Sequence, residues 1–162
     1  MLLIKHPVII VDLSNAAPDL KRIVMTRANQ IIAVSTPSLP SLRLARSLIN
    51  EIKDVRGGED QDIDLIVNMR GLDAANEVPK VDIEKAMELE ISSTIAFSGK
   101  LFMKLENEGK KLIDVPEGME IVKTALLPIL KKSMAVDLDG QDQDTGKPSG
   151  FFQTVLRKIK SK

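Results

Sequence analysis

Apolar residues fall along this chain in two rhythms. Short continuous runs rich in β-branched side chains occupy residues 8–11, 30–35 and 64–69, with a weaker one at 91–97. Such runs are the pattern of strands covered on both faces, as in parallel sheets. Between them, apolar positions recur at helical spacing. Residues 19–29 carry Leu20, Ile23, Val24 and Ala28, with Pro18 in the first turn. Residues 38–55 make the clearest helix. Ser38 is its N-cap, Pro40 lies in its first turn, and Leu42, Ala45, Leu48, Ile49 and Ile52 form one stripe ended by Gly57-Gly58. Shorter helices are predicted at 81–89, after Pro79, and at 101–108, stopped by Gly109. A last one spans 118–132, with Pro128 inside it as a kink. The alternation predicts an α/β fold with a mostly parallel sheet and helices on both faces.

The rhythm stops near residue 135. Residues 1–135 read as one domain. Residues 136–150 hold Asp137, Asp139, Asp142 and Asp144 with glycines and a proline, the composition of a flexible acidic linker. Residues 151–162 then read as a basic amphipathic helix. Phe151, Phe152, Val155, Leu156 and Ile159 share one face, and Arg157, Lys158 and Lys160 the other. A short cationic helix on a tether has the design of an interfacial anchor for anionic lipid. The plainer reading is a frayed end or a helix folded back on its own domain.

Composition narrows the picture. Charge is balanced, 23 basic against 23 acidic residues, which argues against a nucleic-acid footprint over the whole domain. Aromatics are only 2%, all Phe, so base stacking has little support. There is no cysteine, hence no disulfide and no thiolate chemistry, which fits a cytoplasmic place. The N-terminus lacks the layout of a signal peptide, and no run of about 18 apolar residues spans a membrane.

Candidate chemistry sits at strand ends, where open α/β sheets bind nucleotides. The run 8–11 delivers Asp12 into a loop, and the next run ends in Ser35-Thr36-Pro37. A carboxylate at Asp12 suits Mg²⁺ held through water, or a water oriented against a terminal phosphate. The plainer reading is a turn cap with Asn15. Asn68 ends the third run. Its amide has the donor and acceptor to read an adenine edge, though Asn before Gly71 is also an ordinary turn residue. No Gly-rich phosphate loop is present. The stretch from Gly140 to Lys147 has one residue too many between its glycines, and Pro148 where a hydroxyl is needed. Lys110-Lys111 read as a solvated turn. His6 is the only histidine, so neither a histidine metal site nor a Ser-His-Asp arrangement can be assembled.

Three segments together carry a resemblance. They are Val8-Ile9-Ile10-Val11-Asp12-Leu13-Ser14, then Ala28-Asn29-Gln30-Ile31-Ile32-Ala33-Val34-Ser35-Thr36-Pro37-Ser38-Leu39-Pro40-Ser41-Leu42-Arg43, then Ile66-Val67-Asn68-Met69-Arg70. In this order they resemble the MinD/ParA superfamily of deviant P-loop ATPases, and within it the CpaE/TadZ proteins of pilus assembly. Asn107-Glu108-Gly109-Lys110-Lys111-Leu112 also looks like the family's late N-x-G segment. The resemblance runs from about Val8 to Leu130 and covers the C-terminal part of the family's ATPase domain. It implies that Asp12 is the switch carboxylate near Mg²⁺ and the γ-phosphate. Thr36 and Pro37 would lie beside the nucleotide, Asn68 would contact adenine with Arg70 nearby, and Phe97 and Ser98 would occupy the late adenine-side loop. The terminal helix would match the MinD membrane-targeting tail. The family's phosphate loop would lie upstream of Met1. The family usually has Pro where Ser14 stands, and an acidic residue where Ser98 or Gly99 stands.

Without the phosphate loop, the main source of triphosphate affinity is gone. The expectation is therefore a pilus assembly or polar localisation factor that acts by protein and membrane binding. It would hydrolyse little or no ATP alone, would be cytoplasmic, and would be tethered to the inner membrane by its terminal helix. The alternative is the C-terminal half of a split or dimeric ATPase that binds ATP and Mg²⁺ when another chain supplies the phosphate loop. DNA is a poor third partner, because basic residues concentrate only in the tail. The resemblance also puts the absent strand mid-sheet, beside the run that ends at Asp12. Its loss would leave unpaired strand edges that invite a second chain.

Overall fold

The structure, a computed structural model, describes residues 9–60 and 62–133. The linker expected at 136–150 and the helix expected at 151–162 lie outside the described residues. The chain divides into two units, one of Met1–Ala17 with Asp137–Lys162 and one of Pro18–Val136.

In the first unit the described residues correct an expectation. Residues 9–13 form no strand. Ile9 and Val11 are exposed, and Ile10 is 87% exposed. A strand is held by ladder hydrogen bonds to a neighbour, and this run makes none. What forms is a local turn. Asp12 Oδ1 accepts the Ser14 backbone N–H at 2.9 Å and the Ser14 hydroxyl at 2.5 Å, and the Ala16 N–H reaches the Leu13 carbonyl at 3.2 Å. This is the Asx-turn habit of aspartate. The partner is Ser14 rather than Asn15.

The second unit is built on a three-stranded parallel sheet of order β1-β2-β3. Its strands are β1 (Ile31–Ser35), β2 (Ile63–Arg70) and β3 (Ile91–Ala96). The helices are α1 (Pro18–Arg27), α2 (Leu39–Val55), α3 (Lys80–Met87) and α4 (Gly99–Asn107). The central strand β2 is buried from Ile63 to Val67, as a continuous apolar run requires. Alternate residues point to opposite faces. Leu65 and Val67, with Ala33 of β1, pack on Leu42, Ala45 and Ile49 of α2 and on Ile83 and Met87 of α3. The predicted stripe on α2 thus faces the core, although Leu48 lies on the exposed flank. Ser38 occupies the N-cap position but its hydroxyl makes no cap bond there.

The opposite face of β2 carries Asp64 and Ile66, and the C-terminal helical segment covers it. That segment is α5 (Pro116–Ile121), a widened π turn (Val122–Leu126) and α6 (Leu127–Ser133). The π turn stands where the sequence predicted a kink. Pro128 has no N–H to give Thr124, and a wider turn moves that carbonyl away from its ring. Among the described residues no helix is long and apolar enough to cross a membrane.

Asp64 ties this face together. It is 1% exposed. It accepts hydrogen bonds from Gln30 ahead of β1 (2.5 Å), Ser92 of β3 (2.7 Å) and Lys132 of α6 (3.0 Å). Burial alone would raise its pKa, but the bonds from Ser92, Gln30 and Lys132 outweigh it and hold the carboxyl below its usual value. Asp64→Asn should therefore lower stability at pH 7 by about 2 kcal/mol, because buried donors lose a charged acceptor. Since the folded pKa lies below the unfolded one, this contribution is complete above about pH 4 and fades as pH falls through the folded value. Thermal melts of both proteins should differ most near neutrality and converge in acid.

Candidate functional site

The three parallel strands deliver their C-terminal ends to one edge of the sheet. There the chain presents Thr36-Pro37 after β1, Asn68 and Arg70 at the end of β2, and Phe97-Ser98 after β3. All six residues expected to touch a nucleotide from this unit thus share one edge. Asp12 belongs to the other unit. It is an exposed turn residue whose pKa is lowered by the Ser14 hydroxyl and then by the Ser14 N–H.

Hydroxyls organise the β1 end. The Thr36 N–H donates to Ser41 Oγ at 3.1 Å, and Ser35 Oγ lies 2.9 Å from the same atom. Thr36 Oγ1 lies 3.1 Å from Ser38 Oγ. Ser41, in the first turn of α2, therefore shapes this loop, a role that sequence reasoning missed. Its signal is a hydroxyl five residues after a strand-end threonine, within reach of the turn's free N–H groups.

The end of β2 is bent. Met69 has φ +59°, in the left-handed region that a large side chain adopts at a cost. Asn68 Oδ1 accepts the Met69 N–H at 2.8 Å, which supports the bend. The Asn68 amide nitrogen makes no hydrogen bond to another described residue. Register between β2 and β3 shifts at this point, from Val67 to Arg70, and the Phe97 N–H then pairs with the Arg70 carbonyl at 2.8 Å. Phe97 is partly exposed, and its ring lies over Gly99. A Cβ there would come within 2.8 Å of the tip of this exposed ring, so a larger residue would push the ring aside. The Ser98 carbonyl accepts the Phe102 N–H at 3.1 Å, opening that helix.

Arg70 is a clasp. Its Nη1 donates to the Val78 carbonyl at 2.8 Å and its Nε lies 3.5 Å from Glu77. Glu77 also accepts the Gly71 N–H at 2.6 Å, and the Val78 N–H reaches the Pro37 carbonyl at 2.9 Å. The β2–α3 loop is thereby pinned across the ends of β1 and β2. Glu77 was not foreseen from sequence, because nothing in the spacing of an exposed loop reveals which cation it meets. Among the described residues no three acidic or histidine side chains converge as a metal site.

The edge carries the Asn68 amide, the Thr36 and Ser38 hydroxyls and the Phe97 ring, which are hydrogen-bonding and stacking groups. Arg70 is committed to Glu77 and to the β2–α3 loop.

No protein-family model matches the chain, and no curated protein matches it significantly. Solved structures do. The MinD cell division protein of Aquifex aeolicus matches with a TM-score of 0.55 and 18% identity, over 75% of this chain and 50% of that one. The MinC:MinD cell division protein complex of the same organism matches with a TM-score of 0.52 and 18% identity, over 72% and 47%. The fold of this chain therefore resembles part of the MinD fold. The chain spans about half the length of these structures.

Arg70→Ala should free the loop of residues 71–78 while leaving the sheet intact. Hydrogen exchange at the Gly71 and Val78 amides should rise at least tenfold, and global stability should fall by about 2 kcal/mol, the worth of hydrogen bonds from a charged donor.

Proposed function

We propose that this chain is a MinD/ParA-derived binding protein whose strand-end edge receives the base and sugar of an adenine nucleotide. The observation that carries this reading is the placement of Thr36, Asn68 and Phe97 on the C-terminal edge of a parallel sheet, with the Asn68 amide nitrogen making no hydrogen bond to another described residue. Asn68 would read the adenine edge, Phe97 would cover the base, and Thr36 with Pro37 would border the sugar and phosphates. Bound ATP would bring its own phosphates and Mg²⁺, and the chain's own residues would hold and orient the base. With Arg70 committed to Glu77 and the β2–α3 loop, turnover by this chain alone should be negligible.

In the cell this reading makes the chain a pilus assembly or polar localisation factor of the CpaE/TadZ kind. It would work in the cytoplasm and dock to pilus or secretion proteins. Its terminal residues Phe151, Phe152, Val155, Leu156 and Ile159, flanked by Arg157, Lys158 and Lys160, would hold it to the inner membrane. Supporting it are the MinD-like fold and the residues that resemble that family. A second reading, half of an ATPase completed by a chain bearing the phosphate loop, is favoured by β1 standing at the edge of the sheet of described residues.

Calorimetric titration with ATP and ADP in the presence of Mg²⁺ tests the site. Saturable binding of both nucleotides, weakened at least tenfold by Asn68→Ala, is expected. Absence of binding at millimolar nucleotide would refute the base-binding reading.

A further inference from the structure

Arg70 stands where simple alternation would not put it. In β2, Leu65 and Val67 pack toward α2 and α3, and Asp64 faces the other way, toward Lys132. Strict alternation places Arg70 on the side of Asp64. The register shows why it is not there. Val67 pairs with Thr94 and Arg70 with Ala96, so Asn68 and Met69 together stand opposite one residue of β3. One extra residue in a strand is a β-bulge, which re-aims the side chains that follow it. Met69, left-handed at φ +59°, takes up the change of direction. Arg70 is thereby brought to the side of α3, where Glu77 and Val78 lie just ahead of that helix.

The clasp that results is lopsided. The Val78 carbonyl holds Arg70 Nη1 at 2.8 Å, but Nε lies 3.5 Å from Glu77, a long contact between side chains that are 28% and 12% exposed. A partly exposed pair of this kind contributes little. Arg70 Nη2 makes no hydrogen bond to another described residue. A guanidinium fork holds phosphate oxygens better than this, through paired charge-assisted bonds. Glu77 has a second partner in the Gly71 N–H, at 2.6 Å, so it is not stranded when Arg70 leaves. The guanidinium also stands beside the β1 end. Val78, whose carbonyl it holds, gives its N–H to the Pro37 carbonyl at 2.9 Å, and the Thr36 and Ser38 hydroxyls flank Pro37. All of these residues belong to the second unit.

We propose that Glu77 masks Arg70 as a phosphate-binding residue, and that a chain of phosphates at this edge draws the guanidinium off Glu77 and onto the anion. The phosphate chain is the tail of the nucleotide proposed above, so the inference rests on that reading for its ligand. What it adds is regulation of the same site. The edge holds its cation in reserve, cancelled by one carboxylate until an anion of higher charge competes for it. Departure of Arg70 also releases the Val78 carbonyl, so phosphate uptake loosens residues 71–78.

The test is titration of the full chain with tripolyphosphate, without Mg²⁺, followed through the Gly71 and Val78 amide resonances. It compares the wild type with Glu77→Gln, Arg70→Gln and the double variant, with circular dichroism as the control for folding. Glutamine at 77 can still accept the Gly71 N–H but carries no charge, so Arg70 loses its competitor while the loop keeps its tie. Glu77→Gln should bind tripolyphosphate about tenfold more tightly than the wild type, the worth of a charged hydrogen bond made available. The gain should vanish when Arg70→Gln is added. Glu77→Asp, which withdraws the carboxylate by one methylene, should show a smaller gain with the same dependence on Arg70. No gain in either variant, or an equal gain with and without Arg70, would overturn the proposal, since simple removal of a negative charge acts whether or not Arg70 is present. A parallel titration with adenosine separates the two readings. Adenosine binding with no phosphate gain refutes the masking of Arg70 alone. A phosphate gain with no adenosine binding upholds the masking and refutes the base-binding reading.

Discussion

The parallel ladder through β2 is the constraint on which the rest depends. A central parallel strand must be covered on both faces and paired on both edges. From that follow α2 and α3 on one face and the C-terminal helical segment on the other, with β1 and β3 alongside. The same ladder sets all three strand ends at one edge, which is why Thr36, Asn68 and Phe97 share it though they lie far apart in sequence. Asp64 shows how costly such coverage is for a polar side chain. A carboxylate inside the sheet persists only because three donors from three different segments converge on it.

β1 ends the sheet of described residues, and Ile32 and Val34, on its face away from α2, are exposed. The nucleotide edge is different. Its geometry is set by turns and clasps within one unit, through Ser41 at the β1 end and Arg70 with Glu77 at the β2 end. The left-handed Met69 marks the point where regular pairing gives way to a shaped loop.

Much of this was legible in the residues. Runs of Ile, Val and Leu marked all three strands of the second unit, and helical spacing marked the helices between them, with boundaries displaced by a residue or two. Helix α2 was legible to its ends because proline, an apolar stripe and paired glycines all agreed. The expected strand ending at Asp12 was the failure. The run 8–11 has the composition of a strand, but composition states only what a segment would do beside a partner, and Asp12 has a local alternative in the turn with Ser14. The grouping of Thr36, Pro37, Asn68, Arg70, Phe97 and Ser98 was legible because parallel strands separated by helices must end on the same side.

The sequence by itself determined the α/β class, the strand and helix segments of the second unit and the residues at the strand ends, because these rest on local periodicity and on the handed connection of parallel strands. Tertiary structure decided which polar groups are committed and which are free. Arg70 went to Glu77 and Val78, Asp64 to Gln30, Ser92 and Lys132, and the turn before Pro128 widened rather than broke. Those outcomes depend on distances between segments remote in the chain, and side-chain chemistry has no reach to specify them until packing has placed its partners.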